Sequence, residues 1–224
     1  MSPGTIRHRN KNTASCVRNS YYKLQRMQKI GTAELSRLTF EPLSKVNWDK
    51  FTELFGEKGA CANCWCMFYR LGKKDYEAGQ KNDGNKKAMM EIVMSGKPAG
   101  LLGMLDENAI AWCAFAPRED FTKLEKSRIH KRIDDKPVWS IPCLFIHKNF
   151  RDSGVSGAIV RGAINYARES GIKIIEAYPV IPVNGRIPNT FAWYGLYRTF
   201  EKAGFSIVDR KSENRPMVRY YTIH

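Results

Sequence analysis

The strongest constraint on the fold is a junction in the second half of the chain, where an apolar run meets an amphipathic one. The run CLFIHK (143–148) is typical of a buried strand, and the small, polar stretch RDSGVSG (151–157) follows it closely. From residue 154 to 170 the apolar side chains recur on one face of a helix. The sequence therefore predicts a strand, a tight loop and a helix in direct succession.

The loop at this junction is suited to an anion. The first N–H groups of a helix have no partner within the helix, and the helix macrodipole adds positive charge there. Gly154 allows close approach of the backbone, Ser153 and Ser156 are small, and Arg151 adds a full charge. We therefore expect a phosphate or pyrophosphate cradle. Its spacing matches neither the P-loop nor the dinucleotide-binding glycine pattern.

Pro142 stands inside the strand that leads to this loop, in VWSIPCLFI (138–146). A proline has no N–H group to donate to a neighbouring strand. We therefore expect this strand to be bulged or splayed near its middle.

The other patterns indicate one alternating α/β unit from residue 32 onward, with a mixed sheet. In chain order we predict a strand (35–43), a helix (46–56), a polar segment (71–87), a helix that ends at Gly96, a hairpin (99–117), the proline-bearing strand (138–146), a helix (154–170), a strand (172–180), a helix (191–204) and a closing pair of strands (205–210 and 217–223). The charged run KLEKSRIHKR (123–132) is expected to form a solvated helix face.

The net charge of +15 is unevenly distributed. Residues 1–30 contain seven Lys or Arg, no Asp or Glu, and no hydrophobic periodicity. We predict that residues 1–31 form a disordered basic extension and that residues 32–224 form the folded domain. By composition the extension could also be a transit peptide, or translation could begin at Met27.

Membrane and disulfide-stabilised classes are disfavoured. No apolar run reaches the ~18 residues that a membrane span needs. Six cysteines without an apolar signal segment do not indicate a disulfide framework. We expect a cytoplasmic chain without a membrane partner.

The pattern Arg151-x-x-Gly154-x-Ser156, set between a strand and a helix, resembles the acetyl-CoA motif of the GNAT N-acetyltransferases, Gln/Arg-x-x-Gly-x-Gly/Ala. Ser156 departs from that pattern, although its side chain is small. The segment GLYRTFEKAGF (195–205) is similar to the later helix of the family, which runs into Gly-Phe, and GACANCWCMFYR (59–70) is similar to a bacterial subgroup with a CWCM-type segment. The resemblance implies a GNAT fold, in which a mixed, mostly antiparallel sheet with a splayed central strand is flanked by helices.

The resemblance also implies acetyl-CoA as acyl donor and an amine that attacks its thioester directly. The residues that it assigns to the cofactor are Leu144, Phe145 and Ile146 beside the pantetheine arm, and Arg151, Asp152, Ser153, Gly154, Val155 and Ser156 around the pyrophosphate.

Direct attack requires a neutral amine and a protonated or shielded leaving thiolate. Glu176 is the candidate base, although a strand carboxylate can equally make a structural hydrogen bond. The position that usually carries the acidic tyrosine in the family is Phe200, which has no proton to donate. Tyr197 or Tyr194 could replace it.

The segment CANCWC (61–66) begins like a zinc site, but a second C-x-x-C is missing, so we predict no metal. A redox pair is an alternative. In the family, the region between the first strand and the hairpin builds the acceptor side. The resemblance therefore assigns acceptor contacts to Trp65, Phe68, Tyr69 and Arg70, although these could equally form a buried wall without ligand contact.

We therefore expect an N-acetyltransferase that acts on an amine of a small molecule or a protein, with a homodimer left open. One alternative is a GNAT-like domain that binds CoA without turnover, which Phe200 would explain. A basic nucleic-acid-binding protein is the weaker alternative, since the basic residues do not interleave with aromatic ones in a recognisable motif.

Overall fold

The computed structural model describes residues 30–182 and 193–222. Three predicted elements reach beyond the described residues: residues 1–29 of the extension, the first two residues of the helix 191–204, and the last residue of the strand 217–223. The helices are α1 (Thr32–Leu35), α2 (Trp48–Phe55), α3 (Lys73–Gly79), α4 (Gly84–Met94), α5 (Thr122–Glu125), α6 (Val155–Glu169) and α7 (Tyr197–Lys202). The strands are β1 (Thr39–Pro42), β2 (Gly100–Leu105), β3 (Asn108–Ala114), β4 (Ala116–Pro117), β5 (Trp139–Ile141), β6 (Leu144–Ile146), β7 (Ile174–Ala177), β8 (Ser206–Asp209) and β9 (Met217–Tyr221).

The strands form two sheets. The first has the order β1-β2-β3-β6 and is antiparallel throughout, and the second has the order β4-β5-β7-β9-β8. Among the strand pairs of the described residues, β5–β7 alone is parallel, which is the pairing that the crossover through α6 requires. The prediction of a mixed, mostly antiparallel sheet flanked by helices is confirmed.

The helices cover opposite faces of the first sheet. Helix α6 packs Val155, Ile159 and Ala163 into one apolar core, and α2 packs Phe51 and Phe55 into a second core on the other side. Successive residues of a strand point to opposite faces. Accordingly, Cys113 of β3 lies in the first core and Trp112 in the second.

Four predicted elements differ from those observed. Of the predicted helix 191–204, the described residues form only the shorter α7 (Tyr197–Lys202), which begins after Gly195 with its φ of 74°. The first strand is only four residues long, because residues 32–35 before it form a helical turn. The polar segment contains α3, which buries little apolar surface and therefore lacks an amphipathic signal. The run 123–132 is not one solvated helix, since α5 ends at Glu125 and His130 is only 3% exposed.

Within the described residues no helix combines the length and the apolar character needed to cross a membrane.

Candidate active site

The proline-bearing strand divides between the two sheets, so that β6 does not pair with β7; the gap between these two strands is called the cleft below. Strand β5 pairs with β7 as far as Ile141, which lies opposite Ala177. After Pro142, β6 pairs with β3 instead, where Leu144 lies opposite Cys113. The expected splay near the middle of this strand is thus confirmed, and its physical cause is the missing N–H of the proline.

The backbone of β6 presents polar groups to this cleft. The amide of Ala114 donates to the carbonyl oxygen of Cys143 at 2.9 Å, and the amide of His147 donates to the carbonyl oxygen of Ile110 at 2.9 Å. Since hydrogen-bonding directions alternate along a strand, residues 143, 145 and 147 direct their N–H and C=O groups towards β3. Those of Leu144 and Ile146 consequently point into the cleft.

The loop after β6 ends at an uncapped helix. Asp152 and Gly154 both have left-handed backbone conformations, with φ of 57° and 86°. No side chain caps the N-terminus of α6, whose first internal bond runs from the amide of Ala158 to the carbonyl of Gly154 at 3.1 Å. The N–H groups of residues 155–157 therefore have no partner within the helix and are free to bind an anion.

Arg151 links this loop to the strand edge. Its Nε atom donates to the carbonyl oxygen of Ile146 at 3.1 Å, and its side chain is exposed. The guanidinium therefore places a full positive charge at the junction between the cleft edge and the cradle, where it can attract an anionic ligand.

Phe200 lies against the cleft strand. A Cβ atom built on Gly195 would come within 2.7 Å of the Phe200 ring and 3.1 Å of the Leu144 side chain. Gly195, with φ of 74°, thus allows the α7 segment to approach the cleft. Phe200 is fully buried and packs as an apolar wall.

The two candidate acids lie on either side of Gly195. The Tyr194 ring stacks on Trp193, with centroids 3.7 Å apart, and the Arg215 guanidinium lies 3.5 Å from its centroid. Tyr197 begins α7, and Glu201 lies about one turn further along the same helix. Partial burial and the Glu201 carboxylate raise the pKa of Tyr197, which keeps its phenol protonated.

Glu176 does not have the surroundings of a general base. The carboxylate is fully buried, with Oε1 paired with Arg118 and Oε2 accepting from Nε of Arg219 at 2.8 Å. The Tyr178 hydroxyl also donates to Oε1, at 2.6 Å. Both carboxylate oxygens are thus occupied by buried partners and closed off from an amine, so the geometry favours the structural role that the sequence left open.

Tyr178 and His130 complete this buried network, and sequence reasoning missed both partners. The Tyr178 hydroxyl lies 2.9 Å from Oγ of Ser140, and burial raises the pKa of its phenol well above the usual range. Burial, with Arg215 nearby, lowers the pKa of His130 to about 4. Both groups are therefore neutral at physiological pH. No local signal marks them, because Ser140 and Arg118 lie 38 and 60 residues from Tyr178, and Arg215 lies 85 residues from His130.

The four acceptor residues separate into two pairs. Trp65 stacks on Phe55 in the second core, with centroids 5.7 Å apart. Arg70 donates to the carbonyl of Ala99 at 3.0 Å and lies over the Phe121 ring. These contacts give Trp65 and Arg70 a structural role, which agrees with the alternative that the acceptor residues form a buried wall without ligand contact.

The other two acceptor residues lie beside Trp193, two residues before Gly195. The Phe68 and Tyr69 rings contact Trp193, with centroids 5.4 and 6.0 Å away. Lys123, which the sequence placed on a solvated face, instead lies with Nζ 3.6 Å from the Phe68 centroid. Burial lowers the pKa of Lys123. These residues together form an aromatic wall with a cation beside it.

The cysteine segment brings no metal-binding group together. Within residues 30–182 and 193–222, no cluster of three or more His, Cys, Asp or Glu has the arrangement of a metal site. Cys61 is exposed, Cys64 is half-buried and Cys66 is buried, so the three thiols do not face a common point at the surface.

Comparisons with known proteins agree with this geometry. The family model of the acetyltransferase (GNAT) family matches residues 65–187, which is more than half of the chain. No curated protein matches the chain.

Solved structures share the fold at low sequence identity. A GNAT-family acetyltransferase from Streptococcus agalactiae is 13% identical with a TM-score of 0.50, and the match covers 84% of this chain and 96% of that one. Arylalkylamine N-acetyltransferase 2 from Aedes aegypti is 11% identical with a TM-score of 0.50, over 83% of this chain and 99% of that one. From the family match, the divided strand and the anion cradle, we conclude that the chain belongs to the acetyltransferase (GNAT) family.

Proposed function

We propose that the protein is an N-acetyltransferase that uses acetyl-CoA and transfers the acetyl group to an amine by direct attack on the thioester. The single observation that carries this proposal is the continuity of the β6 edge with the cradle at the start of α6. A pantetheine arm carries amide groups that can pair with a strand edge, and a pyrophosphate suits an uncapped helix N-terminus. CoA contains both groups in this order.

The cofactor would lie along β6. The backbone groups of Leu144 and Ile146 would pair with pantetheine, and residues 151–156 would hold the pyrophosphate. Phe145 would contribute differently, because its backbone faces β3 and its side chain contacts Phe55 at 5.3 Å between centroids. It would support the strand from behind.

The leaving thiolate needs a proton that Phe200 cannot give. We propose Tyr194 first, because it adjoins Gly195, which itself packs against Leu144. Tyr197 is the second candidate, since partial burial and the Glu201 carboxylate raise the pKa of its phenol and keep the proton on it. Of the sequence-derived acceptor residues, Phe68 and Tyr69 would contact the amine substrate, and Trp65 and Arg70 would support them.

The same fold can also bind CoA without turnover, and the buried Phe200 at the usual acid position favours that second candidate. We further infer membership of a bacterial subgroup with a CWCM-type segment. A cytoplasmic location is supported by the five free cysteines of the described residues.

The decisive experiment is calorimetric titration of acetyl-CoA into the wild-type chain and into Gly154→Trp. An indole at this position would fill the cradle and clash with Leu35, whose Cδ1 lies 3.2 Å from where a Cβ would stand. We expect at least a tenfold loss of affinity, or about 1.4 kcal/mol. Gly171→Trp is the matched control, because Gly171 also has positive φ, at 70°, but faces open space at the far end of α6.

Absence of binding by the wild-type chain would refute the proposal. Binding without transfer to any of a panel of alkyl, aryl and peptide amines would favour the non-catalytic alternative. Where transfer occurs, Tyr194→Phe and Tyr197→Phe identify the acid, since loss of the proton donor lowers kcat at unchanged affinity for acetyl-CoA.

A further inference from the structure

A row of three aromatic rings has a cation at each end. In order of contact, the Phe68 ring lies 5.4 Å from the Trp193 ring, which stacks on Tyr194 at 3.7 Å between centroids. Nζ of Lys123 lies 3.6 Å from the Phe68 centroid. At the other end, the guanidinium of Arg215 lies 3.5 Å from the Tyr194 centroid. All five residues are half-buried, so the rings and both cations are accessible to a ligand.

Neither cation is paired with a carboxylate of the described residues. Lys123 and Arg215 form no ion pair there. Glu77, whose charge acts on Lys123, lies instead 3.9 Å from Nζ of Lys73. Asp and Glu are also absent from the sequence of the remaining residues, 1–29, 183–192 and 223–224. Two half-buried positive charges therefore lie beside apolar rings without a carboxylate side chain to compensate them.

One of the two cations lies at the cleft. Nη2 of Arg215 donates to the carbonyl oxygen of Tyr178 at 3.4 Å. Tyr178 directly follows β7, which borders the cleft on one side. Tyr194, which the guanidinium covers, precedes Gly195, and Gly195 packs against Leu144 of β6 on the other side. The contacts of Arg215 thus connect it with both borders of the cleft, where the acetyl group would be transferred.

The charges and the rings together favour one class of ligand. A cationic ligand binds to the face of an aromatic ring, but a cation of the chain already covers one face of Phe68 and one face of Tyr194. A further cation would be repelled by both. A carboxylate would instead supply the missing counter-charge and accept charge-assisted hydrogen bonds from the guanidinium of Arg215. The rings between the two cations offer apolar surface for the rest of the ligand.

We propose that the acceptor is an amine that also bears a carboxylate, of which an apolar α-amino acid is the simplest form. Arg215 binds the carboxylate at the cleft, the rings contact the apolar side chain, and Lys123 adds to the positive potential that attracts the anion. This inference rests on the proposed acetyl transfer. In that step the amine nitrogen bonds to the acetyl carbonyl carbon and the C–S bond breaks. The proton that the nitrogen loses balances the one that the CoA sulfur gains.

The experiment compares three acceptors that share one benzyl group, with the full chain and saturating acetyl-CoA. L-Phenylalanine has the carboxylate, phenethylamine lacks it, and L-phenylalaninamide replaces it with a neutral amide. The amine of phenylalanine is intermediate in basicity between those of the other two, so a preference over both cannot arise from basicity. We expect kcat/KM for phenylalanine to exceed that for either analogue at least about tenfold. The same order is expected for leucine against isopentylamine and leucinamide.

Arg215→Met should bring the ratio of kcat/KM between phenylalanine and phenethylamine towards one at unchanged affinity for acetyl-CoA, and this ratio is independent of changes that both acceptors share. Arg210→Met is the matched control, since Arg210 is exposed in the same connection between β8 and β9 and its replacement should leave the ratio unchanged. Transfer to phenethylamine or the amide as fast as to phenylalanine would overturn the inference and leave the proposed function intact, as would an unchanged ratio in a folded Arg215→Met chain. Failure of the proposed function appears differently, as no acetyl-CoA binding or no transfer to any of these acceptors, and the inference then falls with it.

Discussion

Replacement of Glu176 by Gln separates a structural role from a catalytic one. The change keeps the shape of the side chain and removes its charge, leaving Arg118 and Arg219 buried beside a neutral amide. Removal of one partner from a buried ion pair costs about 3–5 kcal/mol. Here each arginine keeps another carboxylate, Glu125 at 2.8 Å and Asp134 at 2.7 Å. We therefore expect the lower end of that range, about 3 kcal/mol.

The assay is urea-induced unfolding, followed by tryptophan fluorescence and by circular dichroism, to obtain the free energy of unfolding. Glu169→Gln is the control, because Glu169 lies exposed at the end of α6 and its replacement should change stability by less than about 0.5 kcal/mol. Acetyl-CoA affinity is measured on both variants under native conditions.

A Glu176→Gln protein as stable as the wild type would refute this reasoning. If that stable variant also lost turnover while retaining acetyl-CoA affinity, Glu176 would be restored as the general base. A loss of stability with turnover retained in the folded fraction would confirm that the carboxylate holds the second sheet together.

Three further outcomes are expected. The pKa of His130 is about 4 in the native chain and 6.5 in the unfolded chain, so between these pH values only the unfolded chain takes up the proton. The free energy of unfolding therefore falls as pH drops from 6.5 to 4. His130→Phe should reduce this fall, which is measured by urea unfolding at about pH 5 and pH 7. Gly162→Ala should cost about 1–3 kcal/mol, since its Cβ would lie 2.3 Å from the Phe40 ring, whereas Gly157→Ala on the same helix meets only a flexible guanidinium and should be neutral or stabilising in thermal denaturation. Pro142→Ala should lower the free energy of unfolding by about 0.4–1 kcal/mol through the entropy of the unfolded chain, measured in the same way.

The parts of the fold that were predictable are those with local causes. The helix α6 follows from its apolar stripe and ends where Gly171 adopts φ of 70°. The hairpin of β2 and β3 follows from two apolar arms around a turn at Asp106, whose φ is 52°. Helix α3 was missed because it is polar and packs little, so no periodicity marks it.

The candidate site divides in the same way. The cradle at Gly154 could be read from consecutive residues, because a strand, a small-residue loop and a helix are local features. The surroundings of Glu176 could not, since its partners Arg118 and Arg219 lie 58 and 43 residues away along the chain.

The buried network and the divided strand serve one geometric need. The proline-bearing strand contributes β5 to one sheet and β6 to the other. If β6 also paired with β7, the cleft between them would close. Pro142 removes the backbone N–H of only one residue, so it cannot prevent that pairing by itself. Ser140 of β5 contacts the Tyr178 hydroxyl, which binds Glu176 of β7, and Arg219 of β9 completes the series. These bonds fix the register of the second sheet up to the point of separation. A buried ionic network of this kind adds little net stability compared with apolar packing, but it specifies one arrangement of its strands. In this protein, that arrangement leaves the backbone of Leu144 and Ile146 directed into the cleft.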